Sequence, residues 1–118
     1  MIGDDSGMLR VYNDEQEFNL IVVASFQAHS KGITRIKQSP FNNNFIVTCS
    51  KDNTVKVWNQ TNWTLIQSYT AHANQVFGIE FVNINTIATG SWDTKIYIWS
   101  MLTGFTQNTI IAALVLIV

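Results

Sequence analysis

Charge is scarce in this sequence, and cysteine is nearly absent. Only 13% of the 118 residues are Asp, Glu, Lys or Arg, about half of the roughly 25% usual in globular domains. With 47% hydrophobic residues, disorder is excluded. Such a chain carries little solubilising charge, so much of its surface is expected to be covered by something. The net charge is −1 and no Lys/Arg run occurs. That removes the electrostatic basis for binding nucleic acid or an anionic membrane. A single cysteine, Cys49, permits neither an internal disulfide nor a Cys-based metal site, and it fits a reducing compartment. The first residues show no charged segment leading into an apolar core, so a signal peptide is not expected. The apolar run from Ile110 to Val118 is nine residues long, against about 20 for a membrane-crossing helix. A Gly-rich phosphate loop is missing, and no segment reads as a helix.

What the sequence does have is internal repetition. Val47 to Asn59, VTCSKDNTVKVWN, lies over Ala88 to Ser100, ATGSWDTKIYIWS. Ser50, Asp52, Val55, Val57 and Trp58 fall on Ser91, Asp93, Ile96, Ile98 and Trp99 at a constant offset of 41. Upstream, FQAHSKGITRI aligns with YTAHANQVFGI, which sets His29 over His72 at an offset of 43. A weaker third copy, GDDSGMLRVYN, opens the chain, with Ser6 under Asp52 and Tyr12 under Trp58. A period of about 40–45 residues indicates a four-stranded unit. Within one period, strands are expected at Ile33 to Lys37, FIVTCS, TVKVW and WTLIQSY, with a hairpin at Lys51-Asp52-Asn53. The second period repeats them with VFGIEFV, TIATGS, KIYIW and FTQNTI. Ile96 to Trp99 is apolar at both parities, which predicts a strand buried on both faces by stacked sheets.

Ala-His before the first strand, Ser-x-Asp at the turn, and a strand closing in Trp make up a pattern that resembles WD40 repeats, the blades of β-propellers. The motif varies here: Ala28-His29 and Ala71-His72 replace Gly-His, and Trp58-Asn59 and Trp99-Ser100 replace Trp-Asp. The resemblance implies an all-β fold, a partial WD40 β-propeller of about two and a half four-stranded blades. Residues 1–27 would be the second half of one repeat, 28–70 and 71–110 two full repeats, and 111–118 the start of a further, truncated blade. Propellers close with about 4–8 blades. The expectation is therefore a fragment of a longer propeller, with ring closure by several copies as the lesser alternative.

His29, Ser50 and Asp52, and again His72, Ser91 and Asp93, have the composition of a hydrolytic triad. Repetition argues against catalysis, and no Gly-x-Ser-x-Gly elbow surrounds either serine. The resemblance implies instead a buried structural network in each repeat, Trp58–Ser50–His29–Asp52 and Trp99–Ser91–His72–Asp93. The two histidines belong to equivalent points of different repeats and are not expected to share a metal. No cofactor is expected. Asn59-Gln60-Thr61 and Asn62-Trp63-Thr64 match glycosylation sequons but read as turn chemistry.

Trp92 does nothing for a bend, yet it occupies one. By resemblance, the residue before the turn Asp faces the top of the propeller beside the channel, together with residues at the start of the first strand. The candidates are Trp92, Gln75 and Phe77 in one repeat, and Lys51, Gly32 and Thr34 in the other. The expected function is a non-enzymatic scaffold that binds protein or peptide partners through that face, with no nucleic acid and no membrane span. The alternatives are a purely structural blade segment or the non-catalytic part of a larger multidomain enzyme. The expected location is intracellular, in the cytoplasm, with the nucleus also open.

Overall fold

The computed structural model describes residues 1–13, 21–41, 44–101 and 106–111. Among them are three antiparallel sheets and no helix. The first sheet joins β1 (Ile2–Gly3), β2 (Met8–Asn13) and β3 (Ile21–Gln27) in chain order. The second joins β4 (Ile33–Gln38), β5 (Phe45–Ser50), β6 (Val55–Asn59) and β7 (Leu65–Tyr69). The third joins β8 (Val76–Asn83), β9 (Thr86–Ser91), β10 (Lys95–Ser100) and β11 (Thr106–Ile111), again as a meander. The strands expected from the sequence appear within two residues of their expected ends. The third sheet runs to Ile111. Of the expected further blade, 111–118, Ile111 ends the third sheet and 112–118 lie outside the described residues.

One turn design closes the central hairpin of each sheet. Asn53, Thr94 and Gly7 take the left-handed conformation there, with φ of 72°, 69° and 87°. Asn and Gly tolerate that region, whereas a β-branched Thr is strained in it. Ser50 Oγ accepts the Asp52 N–H at 3.0 Å, and Asp52 Oδ1 accepts the Thr54 N–H at 2.9 Å. Ser91 and Asp93 repeat both bonds. In the first sheet the Asp4 carboxylate stands where these serines stand, and it accepts the N–H groups of Ser6 and Met8. Ser6 is therefore part of the Asp4 turn. The side chain of Tyr12, expected under Trp58, lies outside the described residues. Asn59 and Asn62 close their own bends by accepting the N–H groups of Thr61 and Thr64.

The strands alternate, so each sheet has two faces. Leu9, Ile46 and Trp58 pack between the first and second sheets. Val47, Cys49, Val55 and Val57, all fully buried, face the third sheet, where they meet Val76, Ile79, Ile87 and Trp99. Tyr69 stacks on Trp99 with ring centroids 4.4 Å apart. The expectation that Ile96 to Trp99 is buried on both faces holds for Trp99 alone. Ile96, Tyr97 and Ile98 are only half-buried. Ile96 and Ile98 share the parity of Val55 and Val57, and no fourth sheet covers that face among the described residues.

Candidate functional site

Each full repeat buries a hydrogen-bonded chain of four side chains. In the second sheet, Trp58 Nε1 donates to Thr48 Oγ1 at 3.0 Å, and Thr48 Oγ1 lies 2.7 Å from His29 Nε2. The other ring nitrogen, Nδ1, lies 3.0 Å from Asp52 Oδ2. The third sheet repeats this through Trp99, Thr89, His72 and Asp93, with distances of 2.7, 2.8 and 2.9 Å. An indole N–H can only donate, so the hydroxyl oxygen accepts it. With the imidazole neutral, as its lowered pKa favours, Nδ1–H donates to the aspartate and Nε2 accepts the hydroxyl hydrogen.

This corrects the expected network. His29, Asp52 and Trp58 belong to it, as do His72, Asp93 and Trp99, but Ser50 and Ser91 do not link Trp to His. Ser50 Oγ donates to the Gly32 carbonyl at 2.8 Å, and Ser91 Oγ to the Asn74 carbonyl at 3.0 Å. Register explains the difference. Trp58 pairs with Ile46 and Trp99 with Ile87. Thr48 and Thr89 lie one same-face step from those partners. Ser50 and Ser91 lie four residues along the strand, about 13 Å away. The threonines were missed, although their spacing repeats like that of the serines.

Electrostatics agree with the wiring. Burial lowers the pKa of both imidazoles, against the pull of Asp52 and Asp93 toward the charged form. Burial would raise both carboxyls, but other contacts outweigh it and hold them low. For Asp52 these are the Thr54 hydroxyl, the electrostatic pull of the His29 ring and backbone N–H groups; for Asp93 the His72 hydrogen bond leads. Burial pushes the Cys49 thiol up to about 11, which makes it a poor nucleophile. A hydrolytic triad is not assembled. Neither Ser50 nor Ser91 is bonded to a histidine; the Thr48 and Thr89 hydroxyls that are bonded to one are sealed from solvent, and Thr54 Oγ1, 2.9 Å from His29 Nδ1, is itself tied to Asp52. Among the described residues no His, Cys, Asp and Glu side chains cluster as a metal site would require.

The rim at the turn end of the sheets has a different character. Asp5, Lys51 and Trp92 occupy the same turn position in the three sheets, and all three are exposed. Lys51 N donates to the Gly32 carbonyl at 3.0 Å and Trp92 N to the Gln75 carbonyl at 3.1 Å, so each turn is pinned to the segment entering its sheet. Phe77 and Trp92 stack with centroids 4.7 Å apart and planes 25° from parallel. Trp92 nevertheless remains 48% exposed. Gln75 is half-buried. Thr34 turns its hydroxyl to the Cys49 and Val76 carbonyls and so bridges the second sheet to the third.

The family model described as "WD domain, G-beta repeat" matches residues 21–59 and 63–100, well over half of the chain. Nuclear distribution protein PAC1 of Komagataella phaffii is 27% identical over 103 residues, which covers 86% of this chain and 21% of that protein. Mitochondrial division protein 1 of Schizosaccharomyces pombe is 37% identical over 81 residues, 68% of this chain and 12% of its own length. The chain thus spans about a fifth or less of these relatives. In the solved Mitotic Checkpoint Complex, one chain superposes with a TM-score of 0.83 over 93% of this chain and 35% of its own. At 22% identity that is a likeness of fold alone. No helix among the described residues is long and apolar enough to cross a membrane.

Proposed function

The chain belongs to the WD40 family, as an all-β partial propeller, and from that premise we propose that it is a non-catalytic, protein-binding segment working through its turn-end rim. One observation carries the reading: the exposed Phe77–Trp92 stack. Folding does not call for it, because the equivalent turn of the second sheet has Lys51 in place of Trp92. Aromatic side chains held rigidly by a neighbour and open on one side are the usual anchors of protein interfaces. Gln75 and Lys51 flank the stack as polar contacts. His29, Asp52, Trp58 and their counterparts His72, Asp93 and Trp99 serve stability, and Ser50 and Ser91 hold the turns.

We infer a larger propeller as the working unit, since rings of this kind use about 4–8 sheets. An intracellular location fits the buried free thiol of Cys49. The test uses the full-length protein that contains these residues. A photo-crosslinking amino acid at Lys51 should capture partner protein, and one at Asn83, on the opposite end, should not. Trp92→Lys should leave the melting curve unchanged and remove the Lys51 crosslinks. Equal capture from both ends, or retention of partners by Trp92→Lys, would refute the reading. A collapsed melt would make Trp92 a packing residue.

A further inference from the structure

The rim that carries the aromatic stack also carries uncompensated positive charge. Among the described residues the ion pairs are Arg10–Asp4, Lys37–Glu80 and the two His–Asp pairs. Lys31, Arg35 and Lys51 are exposed and belong to none of them. Backbone geometry gathers the first and last of these. Ser50 Oγ, bonded to the Gly32 carbonyl, also lies 3.1 Å from the Lys31 carbonyl, and Lys51 N donates to the carbonyl of Gly32, next in sequence. Arg35 reaches no further than its neighbour's carbonyl, Thr34 O, at 3.1 Å. It lines, together with Phe77, a cavity of about 470 Å³ between β4 and β8, a size suited to side-chain groups. Gly90 also lines that cavity, and an added Cβ there would meet no atom within 4 Å. One exposed carboxylate, Asp5, occupies the rim on the first sheet.

On the reading that this rim is the protein-binding face, we propose that its partner is an acidic peptide segment with an aromatic or branched aliphatic anchor. The anchor packs against Trp92 and Phe77, and carboxylates meet Lys51, Lys31 and Arg35. Stacked sheets lie about 10 Å apart and an extended chain advances about 3.3 Å per residue. The anchor and the carboxylate are therefore about three residues apart. With the Lys37–Glu80 pair that also lines the cavity, a basic peptide would meet four like charges, Lys31, Arg35, Lys37 and Lys51, and two opposite ones, Asp5 and Glu80, so charge complementarity selects the acidic partner.

The experiment selects nine-residue peptides, with one fixed Phe and all other positions randomised, on the full-length protein. The expected result is enrichment of Asp or Glu three or four positions from the Phe. Raising salt from about 0.05 to about 0.5 M should weaken binding of the selected peptides roughly tenfold, because exposed charge contacts are screened. The double variant Arg35→Glu, Lys51→Glu should switch the preference at that position to Lys or Arg while still requiring the Phe. An unfolded variant cannot produce a switched preference, so the outcome separates recognition from stability. Neutral or basic peptides selected by the unaltered protein, an unswitched preference in the variant, or no enrichment at all would overturn the proposal. So would displacement of the peptide by a random-sequence oligonucleotide at equal concentration, which would assign these cations to nucleic acid. If Trp92→Lys removes the crosslinks but the selected peptides carry no acid, the binding face stands and the acidic partner falls. If the crosslinks persist, the binding face itself falls.

Discussion

Replacing Thr48 with Val should strand two buried groups at once. The side chain keeps its shape and loses its hydroxyl, which accepts from Trp58 Nε1 at 3.0 Å and meets His29 Nε2 at 2.7 Å. Thr48 is fully buried and His29 nearly so, which leaves water no easy route to replace the bonds. An unsatisfied buried donor or acceptor costs about 1–3 kcal/mol. Partial relaxation around the lost hydroxyl reduces the sum, giving an expected loss of about 2–4 kcal/mol. Thr48→Ser keeps the hydroxyl and loses one methyl group, for about 1 kcal/mol. The measurement is urea denaturation of the full-length protein at pH 7, arranged as a double-mutant cycle. Trp58→Phe removes the indole N–H and spares most of the ring packing against Phe26, whose centroid is 4.9 Å away. Coupling between Thr48→Val and Trp58→Phe should be about 1 kcal/mol or more, because each variant removes a bond the other shares. Trp58→Phe and Ser50→Ala should be additive within about 0.5 kcal/mol, since no bond joins their side chains. Coupling of Trp58 to Ser50, with none to Thr48, would refute the wiring described here.

Three further outcomes are expected. Thr94→Asn should stabilise the protein by about 1 kcal/mol by relieving a β-branched residue at φ 69°, while Gly7→Ala, whose Cβ would fall 2.0 Å from the His29 carbonyl oxygen at φ 87°, should destabilise it severely; paired thermal melts check both, and a neutral Gly7→Ala would contradict the close approach of the turn to His29. Stability should fall as pH drops below the ordinary histidine value of 6.5, because both imidazoles have lowered pKa values in the fold and the unfolded chain takes up protons first; melting temperatures between pH 8 and pH 5 should show the decline, and a His29→Gln, His72→Gln variant should lose that part of the pH dependence.

Strand identity was legible in the sequence for a local reason. Alternating apolar residues between Asp- and Asn-bearing turns specify strands and hairpins within stretches of a dozen residues, and the near-constant spacing of Ser, Asp and Trp specifies a repeated four-stranded unit. His29, Asp52 and Trp58, with His72, Asp93 and Trp99, were legible as polar or aromatic residues recurring where a core was due. Trp92 was legible because Trp has no role in a bend, Phe77 only through the resemblance to WD40 blades, and the structure brings their rings into contact. The hydrogen-bond partner of each Trp depended on register. The turn pairs Cys49 with Val55, so Trp58 falls opposite Ile46 and beside Thr48, out of reach of Ser50. Ser50 and Thr48 share a strand face, and composition alone does not choose between two hydroxyls there; the distance across the hairpin does. Burial was decided by assembly as well. Val55 and Val57 are sealed because a third sheet packs on them, while their counterparts Ile96 and Ile98 are half-buried for want of a fourth among the described residues. A residue's apolarity is written in its own side chain, but its burial belongs to whatever packs against it.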